Sequence, residues 1–156
     1  MSLARGAARL ILQLLGWRLL DLAQRPAKAV VIGYPHTSNW DFPLGLLAMA
    51  ALSLDARWVG KDTLFRHGCG PVMRALGGIP VNRRAPTGFV ERMADEFGRQ
   101  PALHLVMAPE GTRRRTEGWK SGFYRIALAA QVPVVVATID WSRREVGLLS
   151  SITLSG

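Results

Sequence analysis

The feature that most constrains the fold of this 156-residue chain is an alternation of short apolar, β-branched runs with longer helical patterns. The stretches "AVVIGY" (29–34), "ARWVG" (56–60), "GIPV" (78–81), "ALHLVM" (102–107), "VPVVVATI" (132–139) and "VGLLSSITL" (146–154) predict strands. Helix-length segments fall between them, at about 43–54, 62–76, 87–99 and 119–130. Strands that are apolar along most of their length are buried on both faces, which is the situation of a parallel sheet covered by helices. The expectation is therefore a single α/β domain over residues 1–156, with a mostly parallel central sheet flanked by helices. The length suits one domain with a sizeable core, and no repeat or linker divides it. The last strand pattern ends close to Gly156, which leaves room for a further element beyond it.

The opening "MSLARGAARLILQLLGWRLLDLAQ" is apolar and arginine-flanked. Its uncharged run from Leu10 to Trp17 is far short of the ~20 apolar residues that cross a bilayer. Arg18 and Asp21 interrupt it where a signal peptide would stay apolar. Arg5, Arg9 and Gln13 share one helical face; Leu10, Ile11, Leu14 and Leu15 share another. Residues 1–24 are thus expected to carry an amphipathic helix, continuous at least to Gly16. Its leucines either rest in a lipid headgroup layer with Trp17 or pack on the domain's own core.

The net charge of +9 is concentrated in residues 1–30 (net +4) and 61–125 (net +6). That distribution suggests an anionic partner: a nucleic acid, an acidic membrane surface or a phosphorylated small molecule. The helices carry no recognisable nucleic-acid motif, and the basic stretches lack interleaved aromatics for base stacking, so nucleic acid is not expected as a partner. Cys69 is the only cysteine, which rules out an intrachain disulfide and fits a reducing compartment. His36, His67 and His104 are far apart, and no Cys/His pair has zinc-like spacing, so no metal site is expected.

Open α/β sheets bind ligands outside the carboxyl ends of their strands, and three polar stretches fall there. In "PHTSNWD" (35–41), Pro43 suits the first turn of a helix and Asp41 its start, where a carboxylate accepts an orphan N–H. That structural reading is complete for Asp41 but leaves His36 unexplained. The turn Thr37-Ser38-Asn39 can bring Asp41 to one ring nitrogen of His36, leaving the other free to take a proton from an alcohol. In "GGIPVNRR" (77–84), Arg83 and Arg84 follow a strand; a guanidinium suits phosphate oxygens, although paired loop arginines are more often simply solvated. In "APEGTRRR" (108–115), Gly111 permits close backbone approach, Thr112 adds a donor, and Glu110 can accept from hydroxyls or pin an arginine; an ordinary basic turn explains the same residues.

Taken in order, HxSxxD, then G-x-x-x-V-x-R, then PEGTR, then "VPVVV" after a helix, the chain resembles the glycerophospholipid acyltransferase family, typified by 1-acyl-glycerol-3-phosphate acyltransferases, over roughly residues 29–140. The resemblance implies a catalytic pair in which His36 is the general base for a glycerol hydroxyl and Asp41 orients it. The hydroxyl attacks an acyl thioester directly, with acyl-CoA or acyl-carrier protein as donor substrate and no resident cofactor. It also implies that Arg83 grips the phosphate of a lysophospholipid or glycerol phosphate acceptor, helped by Glu110, Gly111, Thr112 and Arg113. Lys61, in "VGKDTLF", falls where family members commonly carry a lysine. Location at the cytoplasmic face of a membrane, as a peripheral protein on an anionic surface, follows in the same way. Pro80, Ala108 and Val136 depart from the family's usual residues. The first two put the substrate in doubt more than the reaction class.

Two other readings use the same residues. One is a non-catalytic basic module that binds anionic lipid or nucleic acid. The other is an enzyme with Cys69 as covalent acyl carrier, set against an ordinary buried thiol in the turn "RHGCGP".

Overall fold

The computed structural model describes residues 3–35, 38–66, 68–82, 88–110 and 118–154. Helix α1 (Leu3–Leu14) leads into a short strand β1 (Arg18–Leu20), followed by β2 (Lys28–Gly33), α2 (Asp41–Leu52), β3 (Ala56–Lys61), α3 (Gly70–Ala75) and β4 (Gly78–Val81). Then come α4 (Phe89–Arg99), β5 (Leu103–Met107), α5 (Gly122–Ala130), β6 (Val134–Asp140) and β7 (Glu145–Ile152). The strands form one sheet in the order β1-β7-β6-β2-β5-β3-β4. β6, β2, β5, β3 and β4 run parallel; β7 returns antiparallel to β6, and β1 lies parallel to β7 at the edge. This is the mostly parallel α/β domain that the alternating pattern predicts.

Successive residues of β2 serve opposite layers, as a strand's period of two requires. Val30 and Ile32 pack with Phe89, Met93 and Phe97 of α4 and Ile126 of α5. Ala29 and Val31 face the other layer, with Leu52 of α2, Val135 and Leu148. Both faces of the central strand are covered, which is why its sequence reads as an unbroken apolar run.

Three local expectations differ from the structure. The amphipathic helix ends at Leu14 rather than extending to residue 24. Gly16 takes a left-handed φ of 74°, its N–H reaches Gln13 O, and Trp17 N–H reaches Leu12 O. That is the two-bond Schellman termination, which a glycine permits and an alanine would strain. Residues 18–20 then pair with β7, and an added Cβ on Gly147 would collide with the Leu20 backbone, so β1 can lie this close only because residue 147 is glycine. Finally, the helix expected over 62–76 is split into a 3₁₀ turn (Asp62–Phe65) and α3. The chain turns between them through Gly68 in the left-handed region.

Helix α1 decides between the two alternatives for its leucines. Its buried residues are Ala8 and Leu12, set among Trp17, Leu44, Ala48, Ala51 and Val146, and Arg9 Nε donates to Ala51 O at 3.0 Å. The apolar residues that the sequence places together stay outside: Leu10 is 55% exposed, Ile11 42%, Leu14 78% and Leu15 50%. The alternative in which those leucines join the core is therefore not what the chain does. Among the described residues no helix is long and apolar enough to cross a membrane.

His104 sits in β5 at the opposite end from the strands' carboxyl edge, buried, with Nε2 3.0 Å from Pro26 O. Its Nδ1 is buried with no partner among the described residues. Burial, and then the Arg25 charge, push its pKa below the ordinary 6.5, against the opposing pull of Pro26 O and Asp55. A folded-state pKa below the unfolded one means that the unfolded chain takes the proton first as pH falls. The stabilisation is complete above about pH 6.5 and is lost progressively below it. Urea midpoints measured from pH 7.5 to 5 should therefore fall, and His104→Gln should flatten that slope while leaving the strand pairing unchanged.

Candidate active site

The carboxyl edge of the parallel strands gathers the segments singled out by sequence. The 34–40 segment follows β2, Lys61 ends β3, residues 82–88 follow β4, and the segment from Ala108 to Ser121 follows β5. β2 and β5 are direct neighbours with Ile32 opposite Met107, and β5 neighbours β3 with Val106 opposite Trp58. Asp41, Lys61 and Glu110 consequently stand at the same rim. His36, Arg83, Gly111, Thr112 and Arg113 belong to the same connecting segments but lie outside the described residues, as do Thr37, His67, Arg84, Arg114 and Arg115.

Asp41 is the best defined of these residues. It opens α2 and is 3% exposed, one of two buried polar or charged side chains among the described residues, the other being His104. Its Oδ2 accepts the Ser38 N–H at 2.8 Å, and Ser38 Oγ accepts the Trp40 N–H at 3.1 Å. Asp41 N–H in turn reaches Ser38 O at 3.3 Å, so these bonds close the turn that leads into α2, just ahead of the helix itself. Asp41 does stand at the helix start, but the N–H that its Oδ2 accepts belongs to Ser38, ahead of the helix, and the carboxylate does more. Oδ1 accepts the indole N–H of Trp141 at 2.9 Å, a bond spanning one hundred residues of sequence. An aspartate so deeply buried at a helix N-terminus, held through both oxygens, has its orientation fixed before any ligand arrives.

Lys61 is exposed at the end of β3, beside Asp62, whose carboxylate is engaged by Arg66 at 2.6 Å. Glu110 is half-buried. Lys120 N–H donates to Pro109 O at 2.9 Å, closing the base of the segment that carries Glu110 and the following glycine, threonine and arginines. Cys69 is exposed at the start of α3, which removes the buried-filler explanation for it. Among the described residues no three His, Cys, Asp or Glu side chains converge on a metal-sized site.

Aromatic residues line this rim, and the sequence reading passed over most of them. Tyr34, at the end of β2, lies 5.3 Å from Trp119, which in turn lies 5.9 Å from Phe123. Trp40, Trp119 and Trp141 are all substantially exposed. Tyr34 and Trp141 each follow a strand run directly, at Gly33-Tyr34 and Asp140-Trp141, and that position was the signal available in the sequence.

No curated protein matches the sequence. Among solved structures, the crystal structure of PlsC from Thermotoga maritima, described as a 1-acyl-sn-glycerophosphate (LPA) acyltransferase, superposes with a TM-score of 0.61 at 16% identity. The match covers 98% of this chain and 68% of that one, and at this identity it speaks to the fold. The sequence model of the Acyltransferase family matches residues 19–140, from β1 to the end of β6, and so takes in the rim segments that follow β2, β3, β4 and β5. With that stretch amounting to most of its length, the chain belongs to the acyltransferase family.

Proposed function

We propose that this acyltransferase moves a fatty acyl group from an acyl thioester to a hydroxyl of a lysophospholipid or glycerol phosphate. His36 is the general base. It removes the proton from the acceptor hydroxyl as the oxygen attacks the thioester carbonyl, and the tetrahedral intermediate collapses with expulsion of the thiolate, which takes up a proton. Asp41 orients the imidazole and stabilises the imidazolium. Arg83, Glu110, Gly111, Thr112 and Arg113, with Lys61, hold the acceptor's phosphate; the donor is acyl-CoA or acyl-carrier protein, and the reaction uses no resident cofactor. The observation that carries this reading is Asp41, buried and braced at the carboxyl rim inside a family match that spans all four motif blocks. The description of the Thermotoga protein as acting on 1-acyl-glycerophosphate supports lysophosphatidate as the acceptor.

The same reading puts the protein at the cytoplasmic face of a membrane, held peripherally. The exposed stripe of Leu3, Leu10, Leu14 and Leu15 supports it, together with the exposed Trp40, Trp119 and Trp141 at the rim. Amphipathic helices lie in the interface with such a face down, and basic residues near an anionic surface each add about 1 kcal/mol.

A screen of labelled acyl-CoA and acyl-carrier protein donors against lysophosphatidate, other lysolipids and glycerol phosphate, read by product mass, tests the proposal. Transfer to lysophosphatidate is the expected result. Binding to anionic vesicles with no transfer to any acceptor would instead favour a non-catalytic lipid-binding module.

A further inference from the structure

The residue that holds Asp41 from across the fold comes from the hairpin joining β6 to β7, just past the end of the family match at residue 140. Resting on the acyl-transfer reading above, we infer that Trp141 is a positioning residue for the reaction: its indole N–H fixes the carboxylate of Asp41 in the orientation that His36 requires.

Three sets of contacts make Trp141 a prepared donor rather than a chance neighbour. First, Asp140 Oδ1 accepts the Ser142 N–H at 2.9 Å, the Ser142 hydroxyl at 2.6 Å and the Arg143 N–H at 3.0 Å. These bonds close the hairpin turn tightly on either side of the tryptophan's backbone, and they hold the Asp140 carboxyl below its ordinary pKa. Second, the Trp141 ring meets Trp17 edge-to-face, with centroids 5.0 Å apart and planes at 84°. Trp17 is itself buried against Leu12 and Leu44, so it is a fixed wall for the indole. Third, the hairpin is tied to the end of α1: Arg144 Nη1 donates to Leu15 O at 3.0 Å, and Arg18 N–H donates to Arg144 O at 2.7 Å.

A core packing role explains Trp141 poorly, because the side chain is 44% exposed. The hydrogen bond of its indole N–H goes to the buried Asp41. An indole N–H donates and cannot accept, so it matches a carboxylate and gives that bond one sense only. With Ser38 N–H on the other oxygen, the two donors clamp the carboxylate from both sides.

Replacement of the donor alone tests this. Trp141→Phe keeps an aromatic face for Trp17 and removes the N–H. In Trp141→His, the imidazole Nε2–H occupies the place in a five-membered ring that Nε1–H has in indole, so a donor is restored with less ring area. Kinetics of acyl transfer to lysophosphatidate are measured for the full chain and both variants, with circular dichroism to verify folding. The expected result is a kcat about tenfold lower for Trp141→Phe with both KM values within twofold, and recovery of most of that loss in Trp141→His. Equal activity of wild type and Trp141→Phe would overturn the inference. So would equal losses in both variants, or a loss expressed in KM, because each would mean that the ring and not the N–H matters. Failure of the wild-type protein to transfer acyl groups at all would overturn the acyl-transfer reading and this inference with it. Wild-type activity combined with an indifferent Trp141→Phe would remove this inference only.

Discussion

His36→Ala should lower acyl transfer by roughly 10²–10⁴-fold, the usual contribution of a positioned general base, while flotation with anionic liposomes stays at the wild-type level. The size of the effect follows from the chemistry. An alcohol holds its proton too firmly to attack a thioester at neutral pH unaided, whereas an imidazole is half deprotonated near pH 6.5 and is the natural acceptor for that proton. A methyl group at position 36 leaves the hydroxyl to bulk water. The liposome arm matters because His36 lies among residues that also build the helix start. Ser38 N–H donates to Asp41 and Trp40 N–H to Ser38 Oγ two to five residues later, and a disturbed loop could lower activity by loosening the turn into α2. Loss of transfer with unchanged liposome binding and unchanged unfolding midpoint assigns the loss to chemistry. Parallel loss of binding and stability would make His36 a folding residue and remove the general-base role. Cys69→Ala in the same assay should turn over near the wild-type rate, since the direct route has no covalent acyl-enzyme; a collapse in rate there would restore the thiol reading for this exposed cysteine.

The layered core was legible because burial on two faces leaves a strong trace in sequence. "AVVIGY" and "VPVVVATI" read as continuous apolar runs, and they became the adjacent strands β2 and β6, paired Val30 to Val134. Features that depend on tertiary partners were not legible. "RLL" at 18–20 has no strand pattern of its own, and it becomes β1 only because Gly147 lets the two backbones come together. The face that α1 turns inward belongs to the same class. Periodicity shows which residues share a face, but the choice of face depends on Ala51 O accepting from Arg9 and on small side chains at Ala8, Ala48 and Ala51 permitting close approach of α1 and α2. At the rim, Asp41 was legible as a carboxylate with two possible roles, and the structure places it at the start of α2 together with a partner from residue 141. No local spacing could reveal that partner, because the hundred intervening residues are brought round by the sheet order and not by any motif.

Because the leucine face of α1 is exposed, Leu10→Glu/Leu14→Glu should weaken binding to anionic vesicles by at least tenfold and leave transfer to a monomeric, short-chain lysolipid unchanged. Full burial of a leucine contributes about 1.5–3 kcal/mol. At 55% and 78% exposure these two side chains offer the equivalent of roughly one and a third leucines to a lipid surface. Complete insertion of that area corresponds to about 2–4 kcal/mol, or roughly thirtyfold to a thousandfold in affinity, and partial insertion lowers the figure. Two new carboxylates facing an anionic surface act in the same direction. Folding should be spared, since neither leucine lies in the contact with α2, which is made by Ala8, Leu12 and Arg9, and glutamate is a good helix former. The soluble acceptor separates the two uses of the helix. The end of α1 is bonded to the 140–145 hairpin through Arg144, and that hairpin presents the Trp141 indole to Asp41. If the leucines serve the membrane alone, activity on monomeric substrate survives while activity on vesicles falls in proportion to binding. Should activity fall equally on both substrates with the vesicle affinity intact, the stripe would be serving the site through the hairpin, and the interfacial role of α1 would be refuted.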